Sequence, residues 1–214
     1  MKTLVVIPMK APEQAKSRLG SVLDAAQRQS LALCLFDRTL RFFQGVFPQF
    51  DLMVVTESAS IALRAHTAGA LVLHETRTDG LNAAATLALH HALTHGYKRL
   101  MIVPADIPVM LRNEVTQLLV LSEQYQVVIA EARDGGTNML LVTPPCDLTF
   151  QYGQGSALRH EMAAAAVGLC ATRRYLPFIG HDIDTPADCL VLAQKKMSRK
   201  LHRTVQPLFE GFAR

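Results

Sequence analysis

The stretch RLMIVPADIP, Arg99–Pro108, carries an uninterrupted apolar run straight into a single carboxylate framed by prolines. The run from Arg99 to Val103 shows neither alternation nor helical spacing, and a proline stops it. A run this short and this apolar reads as a strand buried on both faces, the signature of a parallel sheet under helices. Asp106 then sits at the strand's end. It either caps the following helix or is held still for chemistry, and the stretch alone leaves both open.

The same pattern recurs outward along the chain. Thr3–Pro8, Leu52–Thr56, Ala70–His74 and Val127–Ala130 read as strands, followed by Asn138–Thr143 and Thr172–Leu176. Between the first two, Asp24 and Gln27 form a capping-box pattern, and Leu31, Leu35, Phe36, Leu40 and Phe43 follow on one helical face. Ala59–Ala68, Leu81–His95, Ala157–Gly168 and a segment from Pro186 are further helices. Strands alternating with helices predict an α/β, three-layer α-β-α domain with a mostly parallel sheet.

With 214 residues, half of them hydrophobic and 19% charged, the chain suits one soluble domain with a real core. No apolar run approaches the roughly 18 residues of a membrane helix. The run at the N-terminus stops at Pro8 without a cleavage site, so a cytoplasmic protein is expected. The net charge of +4 is misplaced as a clue, because the segment from Lys195 onward holds six basic residues and one acid. Residues 1–194 therefore sum to −1, no footprint for nucleic acid. The expected organisation is a single domain over 1–197 and a basic tail over 198–214. Cys34, Cys146, Cys170 and Cys189 are widely spaced, which favours four buried or half-buried thiols over a zinc or disulfide framework.

In an open parallel sheet, ligands bind beyond the carboxyl ends of the strands. The segments there hold most of the suspicious polar residues. Lys10, Lys16 and Arg18 follow the first strand and suit a polyphosphate, although no Walker A loop is present. Asp79-Gly80-Leu81-Asn82 is a turn entering a helix, with an amide that can read a base edge. Asp182 and Asp184, two apart, share one side of an extended segment and with Asp106 would make half of a Mg²⁺ site. Their alternative is helix capping by Asp106, Asp184 or Asp188. Asp134–Asn138 (DGGTN) and Tyr152–Ser156 (YGQGS) open backbone amides to an anion, or are a hairpin turn and a serine N-cap. None of the eight histidines is assigned a catalytic role; His160 and His181 are ambiguous.

Together AKSRL, DGLN, PADIP, DGGTN, YGQGS and DIDTPAD resemble, in order and approximate spacing, the guanylyltransferases of coenzyme F420 biosynthesis. These are relatives of the molybdenum-cofactor guanylyltransferases. The resemblance covers Leu4 to about Asp188, and the first loop departs from the glycine-rich loop of the molybdenum-cofactor enzymes. It implies a Rossmann-like fold of the nucleotide-diphospho-sugar transferase type. It also implies transfer of GMP from GTP to 2-phospho-L-lactate, phosphoenolpyruvate or 3-phosphoglycerate, with release of pyrophosphate. Thr137, Gly153 and Ser156 would hold the acceptor, and Asp106, Asp182 and Asp184 would bind Mg²⁺. Lys16 and Arg18 would meet GTP phosphates, with Lys10 and Asp79, Gly80 and Asn82 near the nucleotide. No membrane or nucleic-acid partner is implied, and a homodimer is left open. Two alternatives stand beside this one: the same fold with another NTP or a sugar-phosphate or pterin acceptor, and a non-catalytic nucleotide-binding relative.

Overall fold

The computed structural model describes residues 1–75 and 80–188. Asp79, Cys189 and the expected basic tail lie outside the described residues. Among the described residues seven strands form one sheet: β1 Thr3–Pro8, β2 Asp51–Thr56, β3 Leu71–His74, β4 Arg99–Ile102, β5 Val127–Glu131, β6 Thr137–Val142 and β7 Ala171–Tyr175. Five α-helices connect them: α1 Ala25–Val46, α2 Ala59–Thr67, α3 Gly80–Thr94, α4 Arg112–Leu121 and α5 Ser156–Ala166. The order across the sheet is β3-β2-β1-β4-β6-β5-β7. Only β6 runs against its neighbours, β4 and β5; the other pairings are parallel.

The uninterrupted apolar strands are explained by what covers them. Val5 and Ile7 of β1, Val54 of β2 and Met101 of β4 face a core with Phe36, Leu40 and Phe43 of α1, Ile61 of α2, and Val115 and Leu118 of α4. Leu4, Val6, Val55, Leu100 and Ile102 point the other way, onto alanines of α3 and α5. Alternate side chains thus enter two separate cores, so neither face could be polar. The three-layer expectation holds.

Helix α1 starts where the capping pattern placed it. Gln27 N donates to Asp24 Oδ1 at 2.8 Å, and Asp24 N donates to Gln27 Oε1 at 2.9 Å. Two otherwise orphaned amides are satisfied reciprocally. Asp24→Ala should cost about 1 kcal/mol, read as a lower urea midpoint at unchanged slope.

The helix that follows Asp106 is α4, whose bounds no periodic pattern marks in the sequence because its apolar face is interrupted by the buried Glu114. One expectation needs correction. Cys170 is exposed rather than sheltered, while Cys146 is buried and Cys34 intermediate; these three are free thiols.

β1 is where the chain's path reverses. From β1 the strands proceed outward through β2 to β3, then return to β4 on its other side. A crevice at such a switch point is where ligands dock on open α/β sheets. The loops after β1 and β4 border it.

Candidate active site

Three loops meet at that crevice on a small core of their own. Leu19 and Leu23 from the loop after β1, Val109 beyond β4 and Ile183 from the last segment pack with Leu31 and Leu35 of α1. Ile183 is fully buried, so the alternation of an extended chain turns its neighbours Asp182 and Asp184 the other way. The loops are also tied through their backbones. Ile183 N donates to the Asp106 carbonyl at 3.3 Å. Arg38 Nη2 of α1 donates to the Pro108 carbonyl at 3.0 Å.

The result is a carboxylate cluster. Oxygens of Asp106, Asp182 and Asp184 lie within 4.8 Å of one another. Helix capping does not explain Asp106, since α4 begins at Arg112 behind Leu111 with no side-chain cap. Nor does Asp184 cap the last segment. It is Asp188 whose Oδ2 accepts from Asp184 N at 3.2 Å and Thr185 N at 2.7 Å. Burial alone would raise the Asp188 carboxyl, but these bonds, that of the Thr185 hydroxyl and Arg133 hold it below the usual range.

Lys16 completes the cluster. Its Nζ lies 2.9 Å from Asp106 Oδ2 and 3.1 Å from Asp184 Oδ1, with only 6% of the side chain exposed. Burial pulls the ammonium's pKa down, but Asp106 and Asp184 outweigh it and the net shift is upward. Lys16 also adopts φ 56°, a left-handed conformation uncommon for a side-chain-bearing residue. Strain of this kind persists where surrounding contacts hold it, as the two carboxylates do here. Arg18 reaches Asp184 Oδ2 at 3.7 Å from an exposed position, a weak contact. Asp182 is left with the least compensation. Burial and the charges of Asp106 and Asp184 push its carboxyl up to about 6, offset in part by a backbone hydrogen bond and Lys16.

Clefts open on both sides of these carboxylates. One of about 260 Å³ is bordered by Lys10, Lys16, Gly80, Leu81, Asp106 and Asp184. A smaller one of about 170 Å³ is bordered by Arg18, Arg133, Asp182 and Asp184. Thr137, Gly153 and Ser156 line neither cleft. They form a second cluster on the same sheet edge, since antiparallel β6 begins where β5 ends, with Thr137 opposite Glu131. Ser156 Oγ donates to Thr137 Oγ1 at 2.9 Å, and Ala157 N to the Gly135 carbonyl at 3.2 Å. The two glycine-bearing segments are thereby joined. Ser156 is not the N-cap; that place belongs to Gly155 at φ 64°. Asn82 ties this cluster to α3, its Oδ1 accepting from Tyr152 N at 2.7 Å, so its oxygen serves the loop rather than an open edge.

Two side chains that the sequence reading passed over hold the site together. Glu114 Oε2 accepts from Ile179 N at 2.8 Å and Oε1 from Phe178 N at 3.1 Å, supporting the chain just before Asp182. Asn138 Nδ2 donates to the Ile179 carbonyl at 2.8 Å and reaches Asp182 Oδ1 at 3.4 Å. Glu114 had one visible signal, a carboxylate sharing a helical face with Val115 and Leu118. Gly180 in the same segment admits no side chain, as a Cβ would lie 2.8 Å from both the Leu176 carbonyl and the Tyr175 ring.

A switch-point crevice lined by carboxylates and a buried lysine suits chemistry on phosphates, and known proteins of similar sequence and structure carry out such chemistry. A Desulfovibrio desulfuricans crystal structure described as a nucleotide-diphospho-sugar transferase superposes with a TM-score of 0.79 at 19% identity, covering 98% of this chain and 95% of that one. At that identity it speaks for the fold alone. The chain is 41% identical over 194 residues to 3-phospho-D-glycerate guanylyltransferase of Colwellia psychrerythraea, covering 90% of this chain and 92% of the relative. It is 31% identical over 194 residues to phosphoenolpyruvate guanylyltransferase of Sphaerobacter thermophilus, covering 90% and 93%. The protein is a nucleotidyltransferase. Residues 3–205 match the family described as guanylyl transferase CofC like, and the chain belongs to that family.

Proposed function

We propose that this chain transfers GMP from GTP to a small phosphorylated three-carbon acid within coenzyme F420 biosynthesis, with 3-phospho-D-glycerate the acceptor to test first. The observation that carries the reading is a cluster of three aspartates, two of them bound by Lys16, between two clefts and beside the Thr137–Ser156 pair. The choice of acceptor is supported by the 41% identity to the Colwellia enzyme.

In this reading Lys10, Lys16 and Gly80 border the bound nucleotide in the larger cleft, Arg18 meets its phosphates from the smaller one, and Asn82 fixes the start of α3 against the acceptor loop. Thr137, Gly153 and Ser156 hold the acceptor. A phosphate oxygen of the acceptor attacks the α-phosphorus of GTP, forming a new phosphoanhydride bond as the α–β bond breaks and pyrophosphate leaves. That oxygen is already ionised near neutral pH, since its second pKa is about 6, so no side-chain base is required. The chain's task is to align two anions and offset their repulsion.

The donor set fits Mg²⁺: three hard oxygen ligands from two segments tied together, with more negative charge than Lys16 cancels. Asp106, Asp182 and Asp184 would hold the ion, which would neutralise phosphate charge and orient the reacting oxygens.

The test is pyrophosphate release from each of the four NTPs with Mg²⁺ and 3-phospho-D-glycerate, phosphoenolpyruvate or 2-phospho-L-lactate in competition. GTP with 3-phospho-D-glycerate is expected to give the highest kcat/KM. Folded protein that releases no pyrophosphate with GTP and any of the three acceptors would overturn the proposal.

A further inference from the structure

We propose that His160 is a positioning residue for the acceptor. Its ring, fixed as the Nδ1–H tautomer, makes the Thr137–Ser156 hydroxyl pair a one-way donor toward anionic oxygen. The inference rests on the assignment of Thr137 and Ser156 to the acceptor.

His160 lies one turn into α5 from Ser156 and is fully buried. Its ring makes T-shaped contacts with Tyr152, centroids 4.8 Å apart, and with Phe150 at 6.5 Å. Both ring nitrogens are engaged. Gln151 N donates to Nε2 at 2.9 Å, and Nδ1 is 3.0 Å from Thr137 Oγ1. A backbone amide can only donate, so Nε2 carries its lone pair toward Gln151. Burial and the neighbouring Arg159 charge push the ring's pKa down to about 4, so it is neutral. A neutral ring accepting at Nε2 has its proton on Nδ1.

The tautomer decides what the hydroxyls can offer. With Nδ1–H, Thr137 Oγ1 accepts from the ring and accepts again from Ser156 Oγ–H. Its two lone pairs are then filled, and its own proton is free to point outward. Reversing the Ser156–Thr137 bond merely moves the free proton to Ser156. With the opposite tautomer Thr137 would donate into the ring and Ser156 into Thr137. No hydroxyl proton would remain for a ligand. Phosphate and carboxylate oxygens are acceptors only, so they require the first arrangement. A donor already aimed before binding is the kind of preorganisation that strengthens anion recognition.

Two measurements test this on the full-length protein. The first is ring ¹⁵N NMR of histidine-labelled protein, in which His160 is identified by its loss in His160→Asn. The expected pattern is protonated Nδ1 with bare Nε2; an Nε2–H or doubly protonated ring overturns the proposal. The second is steady-state kinetics with 3-phospho-D-glycerate and GTP for two variants. His160→Asn keeps an N–H near Thr137 and leaves Gln151 N unpaired, whereas His160→Gln keeps the acceptor for Gln151 N and removes the donor. The acceptor KM should rise about tenfold or more in His160→Gln and stay within about threefold in His160→Asn, with the GTP KM unchanged in both. A purely structural role supporting residues 150–152 would give the reverse order, and that result overturns the proposal. Thr137→Val separates the two levels. An unchanged acceptor KM in that variant removes the acceptor assignment itself, and this inference with it, whichever tautomer the NMR finds.

Discussion

Replacing Asp106 by asparagine is expected to lower the rate of pyrophosphate release about 10³-fold, equivalent to roughly 4 kcal/mol of transition-state stabilisation. The substitution keeps size and removes charge. Lys16 Nζ, now 2.9 Å from Asp106 Oδ2, would keep only Asp184 as an anionic partner at 3.1 Å. The proposed metal would lose one of its three carboxylates. The fold should barely register the change, because the backbone carbonyl of Asp106 still receives Ile183 N and the side chain is 29% exposed. A melting midpoint close to that of the unchanged protein, together with the lost turnover, is therefore the expected pair of results. Activity within tenfold of the parent would remove Asp106 from the chemistry.

Glu114→Ala should act in the opposite sense, on stability first and on activity through it. Glu114 is 4% exposed and accepts two backbone amides, Phe178 N and Ile179 N, from the segment that leads to Asp182. Deleting the carboxylate leaves both donors without that partner in a poorly hydrated place, a cost of roughly 3 kcal/mol. For a domain of this size the midpoint should fall by roughly 6–12 °C. Activity should drop as well, since the carboxylates that follow lose their support. Glu114→Gln, which retains one carbonyl acceptor, should fall between the two. A midpoint for Glu114→Ala equal to that of the unchanged protein would show that the 178–184 segment is held by its other contacts alone.

Much of this architecture was legible without coordinates because it depends on local patterns. The runs at Thr3–Pro8 and Arg99–Val103 could be buried on both sides only under helices on both faces, and the Asp24–Gln27 box marked the start of α1 within the residues that form it. The motifs after the strands were placed by the rule for parallel sheets, which needs only the order of elements. The bounds of helix α4 escaped because Glu114 breaks its apolar stripe, and the partners of Glu114 lie 64 and 65 residues away.

The sequence by itself determined the layers, the sheet's dominant direction, the segments that form the ligand edge and the family. Those follow from periodicities of two and 3.6 residues and from short motifs, all of which are local. Only the tertiary structure decided what each polar group faces. Lys16 turns from its loop onto Asp106 and Asp184 across separations of 90 and 168 residues. Asp188 closes the turn that Asp184 was eligible to cap, and Asn82 serves Tyr152. His160 is committed at both nitrogens. A polar side chain has several eligible partners along any sequence. Which of them it meets depends on where distant elements are brought, and on burial that leaves no unpaired donor cheap.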